Sequence, residues 1–161
     1  MRSTAVPVDI SDRIRELLRA AGITFREVQH EPTRTSEESA RARGEELKVG
    51  GKALVLKVDD AFRLFVLSAA RKLDSGAIKH YFGAKRQRFA TSEELHEMTG
   101  LKPGAVPPFG RPVLPFDLFV DGSILENERI AFNAGSLRTS IIMSVTDYVR
   151  VAQPIVFSFS R

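Results

Sequence analysis

Apolar residues recur at Ile14, Leu17, Leu18 and Ala21, the spacing of one helix face, with Ser11 placed to cap the start and Gly22 to close the end in a left-handed turn. The pattern then shortens. Residues 23–28 read as a strand that stops before His30-Glu31-Pro32, and Thr35 with Glu38 forms a capping box for a short polar helix running to about Arg43 and closed by Gly44. Lys52–Val58 and Phe62–Leu67, turned at Asp59-Asp60, read as a hairpin, and their near-continuous apolar run requires cover on both faces. Asp74 caps a helix through Ile78 and Tyr81 to Gly83, residues 85–90 form a short basic strand, and Thr91 with Glu94 caps a helix closed by Gly100.

Beyond a loop at 101–112, residues 117–121 and 129–132 read as strands joined through Gly122-Ser123. Asn133-Ala134-Gly135-Ser136 breaks the pattern, Ser140–Met143 resumes it, Ser144 with Asp147 starts a helix, and Ile155–Phe159 alternates as a last strand. The expected fold is a mixed α/β (α+β) single domain with a partly barrel-like sheet surrounded by helices. The irregular element order argues against a doubly wound nucleotide fold, and neither common glycine-rich phosphate loop is present.

Composition narrows the chemistry. With 161 residues, 43% hydrophobic and 27% charged, the chain fits one ordinary globular domain. It has no cysteine, which removes thiolate nucleophiles, disulfides and iron–sulfur centres, and His30, His80 and His96 are far apart, so neither a metal nor another cofactor is expected. The net charge of +4 suits a polyanion without identifying one. The start lacks a signal-peptide core and no apolar run reaches the roughly 20 residues of a membrane span, so a cytoplasmic location away from membranes is expected. Residues 1–9 are expected to be flexible.

The segment Leu101–Pro112 carries four prolines and two glycines and must be a shaped loop. By itself it reads first as a structural turn and only second as a rigid rim around a ligand.

Four pieces in order, His30-Glu31-Pro32-Thr33 before a Ser-Glu-Glu helix, Gly51–Lys57, Gly83–Arg86, and Gly104–Gly110 followed by Phe132–Ser136, resemble the YbaK/ProX family of editing domains, which are also inserted in or associated with bacterial prolyl-tRNA synthetases. The resemblance spans residues 10–152. It implies an editing domain over residues 10–161 and hydrolysis, in trans, of amino acids wrongly attached to tRNA, without a cofactor. The implied partners are the acceptor 3′ end of mischarged tRNA and an aminoacyl-tRNA synthetase, with the protein a monomer or homodimer.

The family's best-known functional residue falls on Lys52. On the residues alone, Lys52 is a lysine snorkelling at a strand end; the resemblance makes it a contact for a phosphate near the acceptor terminus. Gly104 and Ala105 would offer backbone N–H groups to the developing oxyanion, and Pro108, Phe109 and Gly110 would shape the pocket for the terminal adenosine and aminoacyl group. Asn133, Ala134, Gly135 and Ser136 would form the opposite wall, although an ordinary β-turn explains them equally well. His30, Thr35 and Ser140 complete the candidate contacts. Val28 and Ser140 stand where the Cys-tRNA deacylase branch has tyrosine and aspartate, and Asn133 where the alanine-editing branch has histidine, so neither specificity carries over. The alternative is a non-catalytic module binding tRNA or a synthetase through Arg41, Arg43, Lys48, Lys85, Arg86 and Arg88.

Overall fold

The computed structural model describes residues 9–161, so most of the expected flexible segment, residues 1–8, lies outside the described residues. Asp9, not Ser11, caps α1 (Ile10–Ala20); Ser11 instead donates its hydroxyl to the Ala134 carbonyl. Then come β1 (Arg26–Gln29) and α2 (Ser36–Arg43), whose Thr35 cap accepts the Glu38 N–H at 3.1 Å. The Glu38 carboxylate accepts from Arg34 N–H rather than closing the expected box on Thr35. A 3₁₀ turn at Leu47–Val49 leads into β2 (Gly51–Val58) and β3 (Ala61–Ser68), paired antiparallel from Gly51↔Ser68 to Val58↔Ala61 around Asp59 at φ 51°.

The remaining elements are α3 (Ser75–Phe82), β4 (Gln87–Phe89), α4 (Ser92–Thr99), β5 (Leu118–Val120), α5 (Gly122–Leu125), β6 (Arg129–Asn133), β7 (Thr139–Ser144), α6 (Val145–Ala152) and β8 (Ile155–Val156). The expected joint between residues 117–121 and 129–132 is not a turn. Asp121 accepts the Ser123 N–H and starts α5, and the two strands enter different sheets. The last strand is only two residues long, and the chain beyond it returns to the body through a bridge between Leu73 and Ser160.

Two sheets result, ordered β1-β7-β6 and β4-β2-β3-β5-β8, and they do not close into the expected partial barrel. A parallel bridge from Gly50 to Ala131 joins them. The β2–β3 hairpin does have both faces covered. Val55, Leu64 and Val66 point into the larger core beneath α1 and the proline loop, while Leu56, Val58, Phe65 and Leu67 point into a second core with Ile78, Phe119 and Phe159. Strand alternation therefore splits one apolar run between two layers.

Candidate active site

A pocket of about 470 Å³ opens at the seam between the sheets. Its walls come from α2 and the segment before it (Thr33, Thr35, Ser39, Arg43), the start of β2 (Gly50 to Leu54), the proline loop (Pro103, Gly104, Val106), and Asn133 with Leu137. Among the described residues, Arg34, Arg43 and Lys52 bring three positive charges and no carboxylate lines the pocket. Such a cavity favours phosphate or carbonyl oxygen over an ammonium group.

Local packing sets each group. A Cβ on Gly51 would come within 2.7 Å of Ile130, so the strand crosses the seam as glycine, and Lys52 is the first residue of β2 to carry a side chain. Among the described residues its Nζ is held only by the Arg71 carbonyl at 3.3 Å. Arg43, in the last turn of α2, points inward on the buried face that it shares with Ser39 and Ala40, and Gly44 ends the helix at φ 70°. It is 7% exposed. Nε donates to Ser140 Oγ at 2.9 Å and Nη2 to Asn133 Oδ1 at 3.0 Å, and among the described residues no carboxylate pairs with it. Burial pulls its pKa down to about 10, which leaves it charged at neutral pH.

Behind Arg43, Ser140 Oγ lies 2.8 Å from His30 Nε2 and 3.3 Å from Asn133 Oδ1, while His30 Nδ1 donates to the Glu31 carbonyl at 2.8 Å. Asn133 Nδ2 donates to the Gly104 carbonyl at 2.7 Å. Gly104 sits at φ 87°, and its own N–H has no protein acceptor among the described residues. The Ala105 N–H is occupied by the Lys102 carbonyl at 3.1 Å, and the Ala105 carbonyl accepts from Gly135 N–H at 3.0 Å.

Of the residues singled out in the sequence, Lys52, Thr35, Gly104 and Asn133 line the pocket together. His30 and Ser140 stand behind its wall. Pro108, Phe109 and Gly110 build the loop from beneath: Pro108 accepts from the buried Tyr148 hydroxyl at 2.6 Å, Phe109 packs edge-on against Phe132 and Tyr148, and a Cβ on Gly110 would meet the Phe116 carbonyl at 2.4 Å. Ala134 is fully buried, Gly135 gives α1 room to approach, and Ser136 accepts from Arg138 N–H within its turn. Sequence reasoning put Arg43 on an outer basic face and left Ser39 aside. The available signal was the spacing Ser36, Ser39, Ala40, Arg43, one helical stripe of small residues ending in arginine. Of the other proposed cations, Lys85, Arg86 and Arg88 surround a separate surface depression, and Arg88 is committed to Glu94 at 2.7 Å.

The model of the aminoacyl-tRNA editing domain matches residues 30–151. The chain is 37% identical over 155 residues to the multifunctional Ser/Thr-tRNA deacylase ProXp-y of Escherichia coli (strain K12), covering 92% of each. It is also 37% identical over 101 residues to the proline–tRNA ligase of Shouchella clausii (strain KSM-K16), a match spanning 63% of this chain and 18% of that enzyme. A solved structure described as a candidate trans-editing enzyme for prolyl-tRNA synthetase superposes with a TM-score of 0.82 at 26% identity, covering 98% of this chain and 99% of that one.

Proposed function

The chain belongs to the aminoacyl-tRNA editing domain family, and from that premise we propose that it is a trans-acting deacylase that hydrolyses the ester of tRNA mischarged with serine or threonine. The observation that carries the reading is a pocket lined, among the described residues, by three cations and no carboxylate, with Gly104, whose N–H has no protein acceptor among those residues, on its rim. Lys52 meets a phosphate of the acceptor end, since its ammonium has only one long contact to exchange for it. The ester carbonyl lies against the Gly104 N–H, which is fixed before the reaction and stabilises the oxyanion as it forms.

Water attacks the carbonyl carbon, the bond to the ribose oxygen breaks, and a proton passes to that oxygen, releasing free amino acid and tRNA. No histidine, aspartate, glutamate or cysteine lines the pocket to act as general base. The water is therefore oriented by the substrate's own neighbouring ribose hydroxyl or amino group, and orientation supplies much of the rate on an already activated ester. The hydroxyls of Thr33, Thr35 and Ser39 suit a small hydroxylated side chain, in keeping with the named activity of the Escherichia coli relative.

The test is release of amino acid from a panel of tRNAs charged with serine, threonine, alanine or cysteine. Release of serine or threonine, slowed about tenfold or more in Lys52→Ala, is the expected result. Intact tRNA binding without release from any member would instead favour a binding module.

A further inference from the structure

Arg43 has the features of a group retained for the reaction rather than for the fold. A buried guanidinium without a carboxylate is unfavourable, because desolvation is not offset by a counter-charge. Yet two of its donors, Nε and Nη2, go to neutral side chains, Ser140 and Asn133, brought from β7 and β6. Arginine can only donate and a backbone carbonyl can only accept, so Asn133 has one amide orientation that satisfies both neighbours: Oδ1 toward Arg43 and Nδ2 toward the Gly104 carbonyl. Gly104, at φ 87° and without a Cβ, has more freedom to swing than any other residue type would have. The Asn133 bond secures the peptide that follows its N–H, and the Gly135 N–H to Ala105 carbonyl bond secures the next.

We propose that Arg43 is a positioning residue: through Asn133 it holds the peptide after Gly104 so that the Gly104 N–H is aimed at the ester oxygen. The proposal rests on the deacylase reading for its consequence in rate, but the linkage itself can be read without turnover. Lysine cannot replace arginine here. One ammonium on a flexible stem does not supply the planar fork that reaches Ser140 and Asn133 at once.

The test compares the parent with Arg43→Lys, Asn133→Ala and the double variant. Single-turnover release is measured on tRNA charged with serine or threonine, beside the amide NMR signal of Gly104 and the melting temperature. Because misplacing a preorganised donor is costly, each single change should lower the maximal rate about 10- to 100-fold. The protein concentration giving half the maximal rate should stay within about twofold, since ground-state binding is untouched. The double variant should lose no more than the worse single, because both act through one chain of hydrogen bonds. Both singles should displace the Gly104 amide signal and leave that of Gly83, on another helix end, in place.

Full rate in Arg43→Lys, a loss confined to half-saturation, multiplicative losses in the double variant, or an unmoved Gly104 signal would each overturn the proposal. Arg43→Gln carries the same test if the lysine variant does not fold. A parent inactive on both substrates would sink the deacylase reading instead, while the Gly104 signal still reports whether Arg43 holds the loop.

Discussion

Lys52 and Arg43 are both cations of one pocket, but they face opposite energetic circumstances. Lys52 is partly exposed with a single 3.3 Å contact, so Lys52→Ala should change stability by no more than about 0.5 kcal/mol. The same change should slow deacylation about tenfold or more by removing a phosphate contact, which a deacylation assay beside thermal melting will separate from unfolding. Arg43 holds a desolvated charge, so Arg43→Met should melt no lower than the parent while turnover collapses, a combination that a purely structural arginine would not give. Lys52, Gly104 and Asn133 were legible because each belongs to a short motif whose residues adjoin in the chain. Arg43 was not, since a charge on a short polar helix reads as solvated. What buries it are Asn133 and Ser140, partners 90 and 97 positions away.

At the scale of elements, the helix ends were read in part: Asp9 takes the cap expected of Ser11 and the Thr35–Glu38 box stays half-formed, but other ends follow the sequence. The box of Thr91 and Glu94 is complete in both directions, and Gly44, Gly83 and Gly100 all close helices at positive φ. The segment from 117 to 132 was misread because Asp121 works at long range. Its carboxylate caps α5 through Ser123 N–H at 3.0 Å and also takes Phe159 N–H and Ser160 Oγ, each at 2.7 Å, tying the chain end to the sheet. Burial alone would raise its pKa, but these hydrogen bonds outweigh burial and hold it below the ordinary 3.8. A depressed acid contributes stability that is present above its unfolded pKa and lost as the pH falls through the folded one. Melting measured from about pH 5 down to about pH 2 should therefore fall more steeply for the parent than for Asp121→Asn. In the same core Phe65 stacks on Phe119 at 5.4 Å and meets Phe82 and Phe159 edge-on, so Phe65→Ala should cost about 3–5 kcal/mol in denaturant unfolding.

For the whole molecule, the mixed α/β class and the order of elements follow from hydrophobic periodicity, but the division into two sheets does not. Pairings such as β1 with β7, or β3 parallel to β5, join distant segments whose patterns carry no record of one another. The seam they leave matters because Lys52 stands on one sheet, whereas Asn133 stands on the other with Ser140 beside it. Gly51 packs against the Ile130 side chain of the other sheet, and Gly51→Ala should cost about 1–3 kcal/mol as Ile130 is pushed aside, measurable by thermal melting beside single-turnover deacylation. The two sheets meet like the jaws of a calliper, pinned at Gly50 and Ala131, and the pocket is the gap that they leave beside the pin. Substitutions at the pin should therefore alter the width of the pocket while both jaws stay intact.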